Sequence, residues 1–272
     1  MTSTRAAFAA LATCTAAVAV MGAAAPQVSD PPDSAGDRWP HRSVRTVGKL
    51  VAQLPGRQVE SCTAAIVDAP NGSVVATAAH CLTNPQRPHA PRALYFQPGY
   101  AHRGGPEAVL RKGWKVASWR TAPGWNVHRR LKSILPHDWA FLRMEKRHGR
   151  TIQQTYGANR LHFGRVGGGR TTTLGYPAEP PYDGERLDYC AGDAHRYARG
   201  EIAAADVGAL SLRPCDLTQG ASGGPWLRGY DPARQSGTLV AVTSVGSDDE
   251  LLGRPYPERA RSVFREVGAR GR

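Results

Sequence analysis

Long apolar stretches are nearly absent from this chain of 272 residues. The one candidate, Ala6 to Val20, is short and alanine-rich, so no membrane span is expected. Histidines number nine, and their spacing nowhere matches a metal motif such as H-E-x-x-H. The expectation is therefore no metal and no cofactor. Acidic residues are outnumbered, 22 against 35 basic, which gives a formal charge of +13. Such a field attracts acidic surfaces and nucleic acids. Here, however, the basic residues are scattered and no nucleic-acid motif accompanies them, so nucleic acid is not expected as a partner. Amphipathic helical stripes are few, while 30 glycines and 21 prolines punctuate short β-branched runs. That pattern predicts an all-β protein. Internal repeats and low-complexity segments are missing too.

What is present begins with an export pattern. Arg5, the apolar run and the small residues Gly22 to Ala25 read as a secretory signal peptide over residues 1–25, cut near Ala24 or Ala25. Residues 26–43 are rich in Pro, Asp and Ser and are read as a pro-segment or disordered linker. A first folded half is expected over about 44–144 and a second over about 161–255, with the polar stretch Glu145 to Asn159 between them. Val263, Phe264 and Val267 share one face of a short closing helix. Of five cysteines, Cys14 would leave with the signal. Cys62, Cys81, Cys190 and Cys215 remain, an even number suited to an oxidising, extracellular setting, with three possible pairings.

Three motifs carry the chemistry: Thr77-Ala78-Ala79-His80-Cys81, His137-Asp138-Trp139-Ala140-Phe141-Leu142 and Gly220-Ala221-Ser222-Gly223-Gly224-Pro225. A serine hydroxyl is a poor nucleophile at neutral pH, so an imidazole must take its proton. A carboxylate behind the imidazole must fix its tautomer and stabilise the cation that forms. Asp138 opens the apolar segment Trp139 to Met144, where an unpaired charge would be costly. Gly220 to Gly224 also fits G-x-S-x-G, the elbow of α/β-hydrolases, but that arrangement needs a histidine after the serine. The last histidine is His195, so the elbow reading fails. The subtilisin order would require Asp68, which sits in the turn-like Asp68-Ala69-Pro70-Asn71-Gly72.

The order His, Asp, Ser resembles the chymotrypsin-like (trypsin-like) serine peptidases, and in particular their bacterial secreted branch, over about Val44 to Val267. The resemblance implies two six-stranded antiparallel β-barrels with the active site in the cleft between them. It implies His80 as general base, Asp138 as its orienter and Ser222 as nucleophile. The N–H groups of Gly220 and Ser222 would form the oxyanion hole. Ser244, with Gly246, would lie on the edge strand that pairs with the substrate backbone. Asp216 stands six residues before Ser222, where trypsin-like members hold the carboxylate that binds Arg or Lys. A family cystine beside the catalytic histidine implies Cys62–Cys81, at the ends of a hairpin turning at Asn71-Gly72, and leaves Cys190–Cys215. Two departures are visible. Ala221 replaces the aspartate with which the digestive branch receives a new N-terminus, so activation by insertion is not expected. No histidine follows Ser222, unlike in the glutamyl endopeptidases. The implied function is a secreted serine endopeptidase, a monomer acting on protein or peptide substrates. The competing readings are a catalytically silent peptidase-fold binding protein and a secreted esterase.

Overall fold

The computed structural model describes Met1, residues 30–101 and residues 104–269. Apart from Met1, the expected signal peptide and its cleavage site lie outside the described residues. The first half forms β1 (Ser34–Arg38), β2 (Val47–Gln53), β3 (Val59–Val67), β4 (Val74–Thr77), β5 (Ala93–Pro98), β6 (Trp114–Thr121) and β7 (Ala140–Met144). The second half adds β8 (Arg160–Leu161), β9 (Gly169–Gly175), β10 (Asp188–Arg196), β11 (Leu210–Leu212), β12 (Pro225–Asp231), β13 (Ser236–Ser247) and β14 (Glu250–Pro255).

Asn71-Gly72 turns the chain between β3 and β4, which pair with Ala65 opposite Ala76 and Val67 opposite Val74. The strands β2, β3, β4, β7, β6 and β5 close into one barrel. In the second half, β9, β12, β13, β14, β11 and β10 run in order, and pairing of β10 with β9 closes the ring. Small barrels have no room for solvent inside, so their inward positions must be apolar. Leu50, Ile66, Val75, Phe96 and Leu142 meet that demand in the first barrel, each about 1 % exposed or less. Burying such a side chain contributes roughly 1.5–3 kcal/mol. The expected pair of six-stranded barrels is the architecture the chain adopts.

The helix Ala260–Gly268 follows the second barrel but packs on the first. Phe264 meets Phe141 edge-on with ring centres 5.4 Å apart, and the Asn71 side chain donates to the Val267 carbonyl at 2.9 Å. The stretch between the barrels is not featureless. Thr151 and Gln154 form a capping box that opens a helical turn at Ile152–Tyr156, and Ile152 is buried. Among the described residues, no helix is long and apolar enough to cross a membrane.

One expectation needs correction. Residues 34–39 do not behave as an unstructured linker: β1 joins the second barrel alongside β10, and Trp39 is buried. The indole meets Tyr189 and Tyr230 edge-on at 5.1 and 5.4 Å, and the Trp39 backbone N–H donates to the Leu187 carbonyl at 2.9 Å. One large aromatic supplies the apolar area that the surrounding Pro, Asp and Ser residues lack.

Candidate active site

His80, Asp138 and Ser222 each stand where a strand has just ended or is about to begin, whereas Ser244 and Gly246 lie within β13. His80 lies in a single helical turn, Ala79–Cys81, directly after β4. Asp138 is fully buried between the turn Leu135–His137 and β7. Ser222 lies in the turn between β11 and β12. Two cystines brace these turns. Cys62–Cys81 ties the His80 turn to β3, with Cα atoms 6.2 Å apart, and Cys190–Cys215 ties the approach to Ser222 to β10, at 5.7 Å. The sulfurs of Cys62 and Cys81 are near His80 but bonded to each other, so they are not available as thiolate ligands.

Asp138 reaches three donors. Its Oδ2 is 2.8 Å from His80 Nδ1, its Oδ1 accepts the His80 backbone N–H at 2.9 Å, and the Ser244 hydroxyl donates to Oδ2 at 2.5 Å. A bulge between Thr243 and Val245 leaves Ser244 out of the β13–β14 register, which frees its side chain for this contact. Burial pushes the Asp138 carboxyl up, but the His80 charge and the hydrogen bonds of His80 and Ser244 outweigh it and leave it low. Burial pulls the His80 imidazole down, and the Asp138 charge and hydrogen bond more than reverse that, so its pKa is raised. A carboxylate and an imidazole held in this way favour proton uptake at the remaining ring nitrogen.

Around Ser222, glycine is required by geometry. Gly220 has a φ of +98°, and a β-carbon there would sit 2.4 Å from the Tyr176 carbonyl oxygen. Gly223 has a φ of +77°, with Thr77 Oγ1 only 2.1 Å from where its β-carbon would be. Thr63 of β3 anchors the turn across the barrel interface. Its N–H donates to the Ser222 carbonyl at 2.8 Å, its hydroxyl donates to the Gly220 carbonyl at 2.8 Å, and the Tyr176 N–H donates to that hydroxyl at 3.0 Å. Among the described residues, the N–H groups of Gly220 and Ser222 and the Ser222 hydroxyl have no hydrogen-bond partner. Ala221 is buried and packs closely on Gly175.

His80 and Ser222 line one open cleft of about 960 Å³, together with Asp216, Gly220, Ser244 and Gly246. Asp216 is exposed, its N–H donates to the Ala35 carbonyl at 2.9 Å, and the Tyr182 hydroxyl donates to its Oδ1 at 2.6 Å. Its other oxygen has no partner among the described residues. Every sequence-expected site residue is thus at this cleft or braces its walls. Sequence reasoning assigned Ser244 to the substrate edge and missed its contact with Asp138. It also missed Thr63 and Tyr182, whose roles arise only when the two barrels meet.

No protein-family model and no curated protein matches this sequence. Solved structures do. The protease Anisep from Arthrobacter nicotinovorans matches at a TM-score of 0.70 and 26% identity, over 85% of this chain and 98% of its own. A thermostable serine protease, AL20, from an extremophilic microorganism matches at 0.69 and 28% identity, over 84% and 99%. A Glu endopeptidase shares the fold at 0.61 and 15% identity, over 88% and 98%. Two closed barrels meeting at a cleft, with serine proteases as structural neighbours, give this chain the chymotrypsin-like serine protease fold.

Proposed function

We propose that the chain is a secreted serine endopeptidase that cleaves peptide bonds through an acyl-enzyme on Ser222. In this reading the Ser222 oxygen bonds to the substrate carbonyl carbon while its proton passes to His80 Nε2. The carbonyl electrons move onto oxygen, where the N–H groups of Gly220 and Ser222 donate to the new oxyanion. Collapse breaks the C–N bond, and the leaving amine takes the proton from His80. Water then repeats the sequence and releases the acid. Asp138 keeps the ring oriented and stabilises the imidazolium throughout. The observation that carries the reading is His80, held by Asp138 at 2.8 Å, in one cleft with Ser222, whose own N–H and that of Gly220 are unpartnered among the described residues.

The cleft lining also supports a substrate class. Glu60, Glu179, Asp216 and Asp248 line it, Glu60 paired with Arg87 at 2.6 Å, and no lysine or arginine does among the described residues. A cationic side chain entering beside Ser222 would find the free oxygen of Asp216, and charge-assisted hydrogen bonds favour that pairing. Secretion is supported by the two cystines, which persist in oxidising compartments.

The test is reaction of the purified protein with a fluorophosphonate probe, beside Ser222→Ala. Labelling confined to Ser222, with hydrolysis of an arginyl or lysyl peptide amide, is the expected result. An unlabelled protein that still binds peptides would instead be a silent binding protein. Labelling with turnover of esters but not amides would identify an esterase.

A further inference from the structure

A second cavity, of about 380 Å³, lies behind the catalytic wall and is lined by Arg165, Arg196, Arg254 and Arg259. These residues come from the β8–β9 connection, the end of β10, β14 and the entry to the C-terminal helix. Arg254 is buried and satisfied. It pairs with Asp206, donates to the Ala205 carbonyl at 3.1 Å, and brings Nε to 3.5 Å from the Ser244 hydroxyl oxygen. The other three have no carboxylate against them among the described residues. Arg259 donates to His137 Nδ1 at 3.1 Å. Burial and then the Arg259 charge hold that imidazole below its ordinary pKa, as a neutral acceptor. Arg196 Nε is buried without any acceptor. The remaining carboxylate in the lining, Glu258, is turned to Arg261 at 2.6 Å.

Arg165 and Arg259 reach solvent, while the buried Nε donor of Arg196, left unpaired, costs about 1–3 kcal/mol. Pro136, Val166 and Val207 form apolar wall and offer no side-chain acceptor. A tetrahedral oxyanion supplies that donor with an acceptor and the three cations with a counter-charge, because each of its edges matches the planar fork of an arginine. We infer that this cavity is a binding site for a phosphate-class oxyanion, free or as a small monoester. It is separate from the substrate cleft, which Arg254 touches only through Ser244.

Thermal unfolding of the full chain in inorganic phosphate, against chloride at equal ionic strength, tests the site. Phosphate is expected to raise Tm saturably, on the order of 5 °C at a hundredfold excess over Kd. Arg196→Gln and Arg165→Gln should each weaken half-saturation tenfold or more, and the exposed, remote Arg111→Gln should not. Should Arg196→Gln fold poorly, Arg165→Gln alone decides, since Arg165 is exposed. A parallel titration with phenyl phosphate separates the sources: saturation at lower concentration than phosphate assigns a monoester, and the reverse assigns the free ion. Phosphate no better than chloride, or a shift equal in all variants, overturns the site and leaves only general attraction to a cationic surface. Neither result bears on hydrolysis at Ser222.

Discussion

The two cavities that meet at the Ser244–Arg254 contact are opposite in charge. The front cleft holds four carboxylates, of which Glu60 is paired with Arg87, and no lysine or arginine among its described lining, whereas the rear cavity holds four arginines and one glutamate. Asp138 stands beside this divide, bonded to His80 on the cleft side and to Ser244 next to Arg254. In a chain of formal charge +13, the front is the exception. Net charge describes the far field of a protein, and what enters a cleft is selected by the few groups that line it. The two faces should therefore respond to different ligands, and each can be perturbed separately.

The largest expected effect is at the shared wall. Asp138→Asn keeps the shape but removes the charge that orients and stabilises His80, and kcat should fall about 10⁴-fold. The pH profile gives the sign. Catalysis needs neutral His80, so kcat/KM of the native enzyme should fall as pH drops through a value above the ordinary 6.5. Without the carboxylate that raises this pKa, the acidic limb of the residual activity should move to lower pH. A variant with full kcat on a peptide amide, or an unmoved limb, would remove Asp138 from the mechanism.

Next in size is the strand that supports the front wall. Asp216 bonds to the Ala35 carbonyl, and Tyr182 bridges Asp216 to the Gly36 carbonyl, so β1 holds one side of the cleft. Trp39→Ala should cost about 3–5 kcal/mol in urea unfolding, as expected for a buried tryptophan. A chain starting at Val44 lacks β1 and Trp39 altogether, so it should lose stability by at least as much. If that truncated chain proves as stable and active as the longer one, β1 is an accessory and residues 26–43 can be a removable pro-segment after all.

Asp216 itself sets the third prediction. Asp216→Asn retains an acceptor for Tyr182 but loses the charge offered to the substrate. Hydrolysis of arginyl and lysyl peptides should drop 10- to 100-fold in kcat/KM, the worth of a hydrogen bond to a charged group, while neutral peptides lose little. Equal losses for both substrate classes would make Asp216 a structural residue of the β1 contact.

The front of this divide was legible in the sequence and the rear was not. The local sequence is constrained at His80, Asp138 and Ser222: small residues before the histidine, an apolar strand after the aspartate, and glycines where the Ser222 turn takes a positive φ. The hairpin between Cys62 and Cys81 carries its own turn signal. Thr63 carries none, because a threonine in a strand reads as β propensity until the second barrel sets Gly220 and Ser222 against it. The β1 strand, Ser-Ala-Gly-Asp-Arg, has neither alternation nor β-branched residues, and composition favoured disorder. The arginines of the rear cavity looked scattered because they are scattered along the chain. Only closure of the second barrel, with the C-terminal helix docked on the first, collects 165, 196, 254 and 259 in one place.

The smallest effect decides whether the cleft or the whole molecule governs substrate capture. A net charge of +13 repels a cationic peptide at long range, while the carboxylates of the cleft attract it at short range. These fields are screened differently. At 0.1 M salt the Debye length is about 10 Å, so most of the distant positive charge is already hidden while the cleft still acts on an approaching side chain. Raising salt from 0.1 to 0.5 M should therefore lower kcat/KM for an arginyl peptide by about two- to threefold, the scale at which rim charges tune association. A neutral peptide measured in parallel should stay level. Were kcat/KM for the arginyl peptide to rise with salt instead, the far field would dominate, and the carboxylates of the front cleft would not be what selects the substrate.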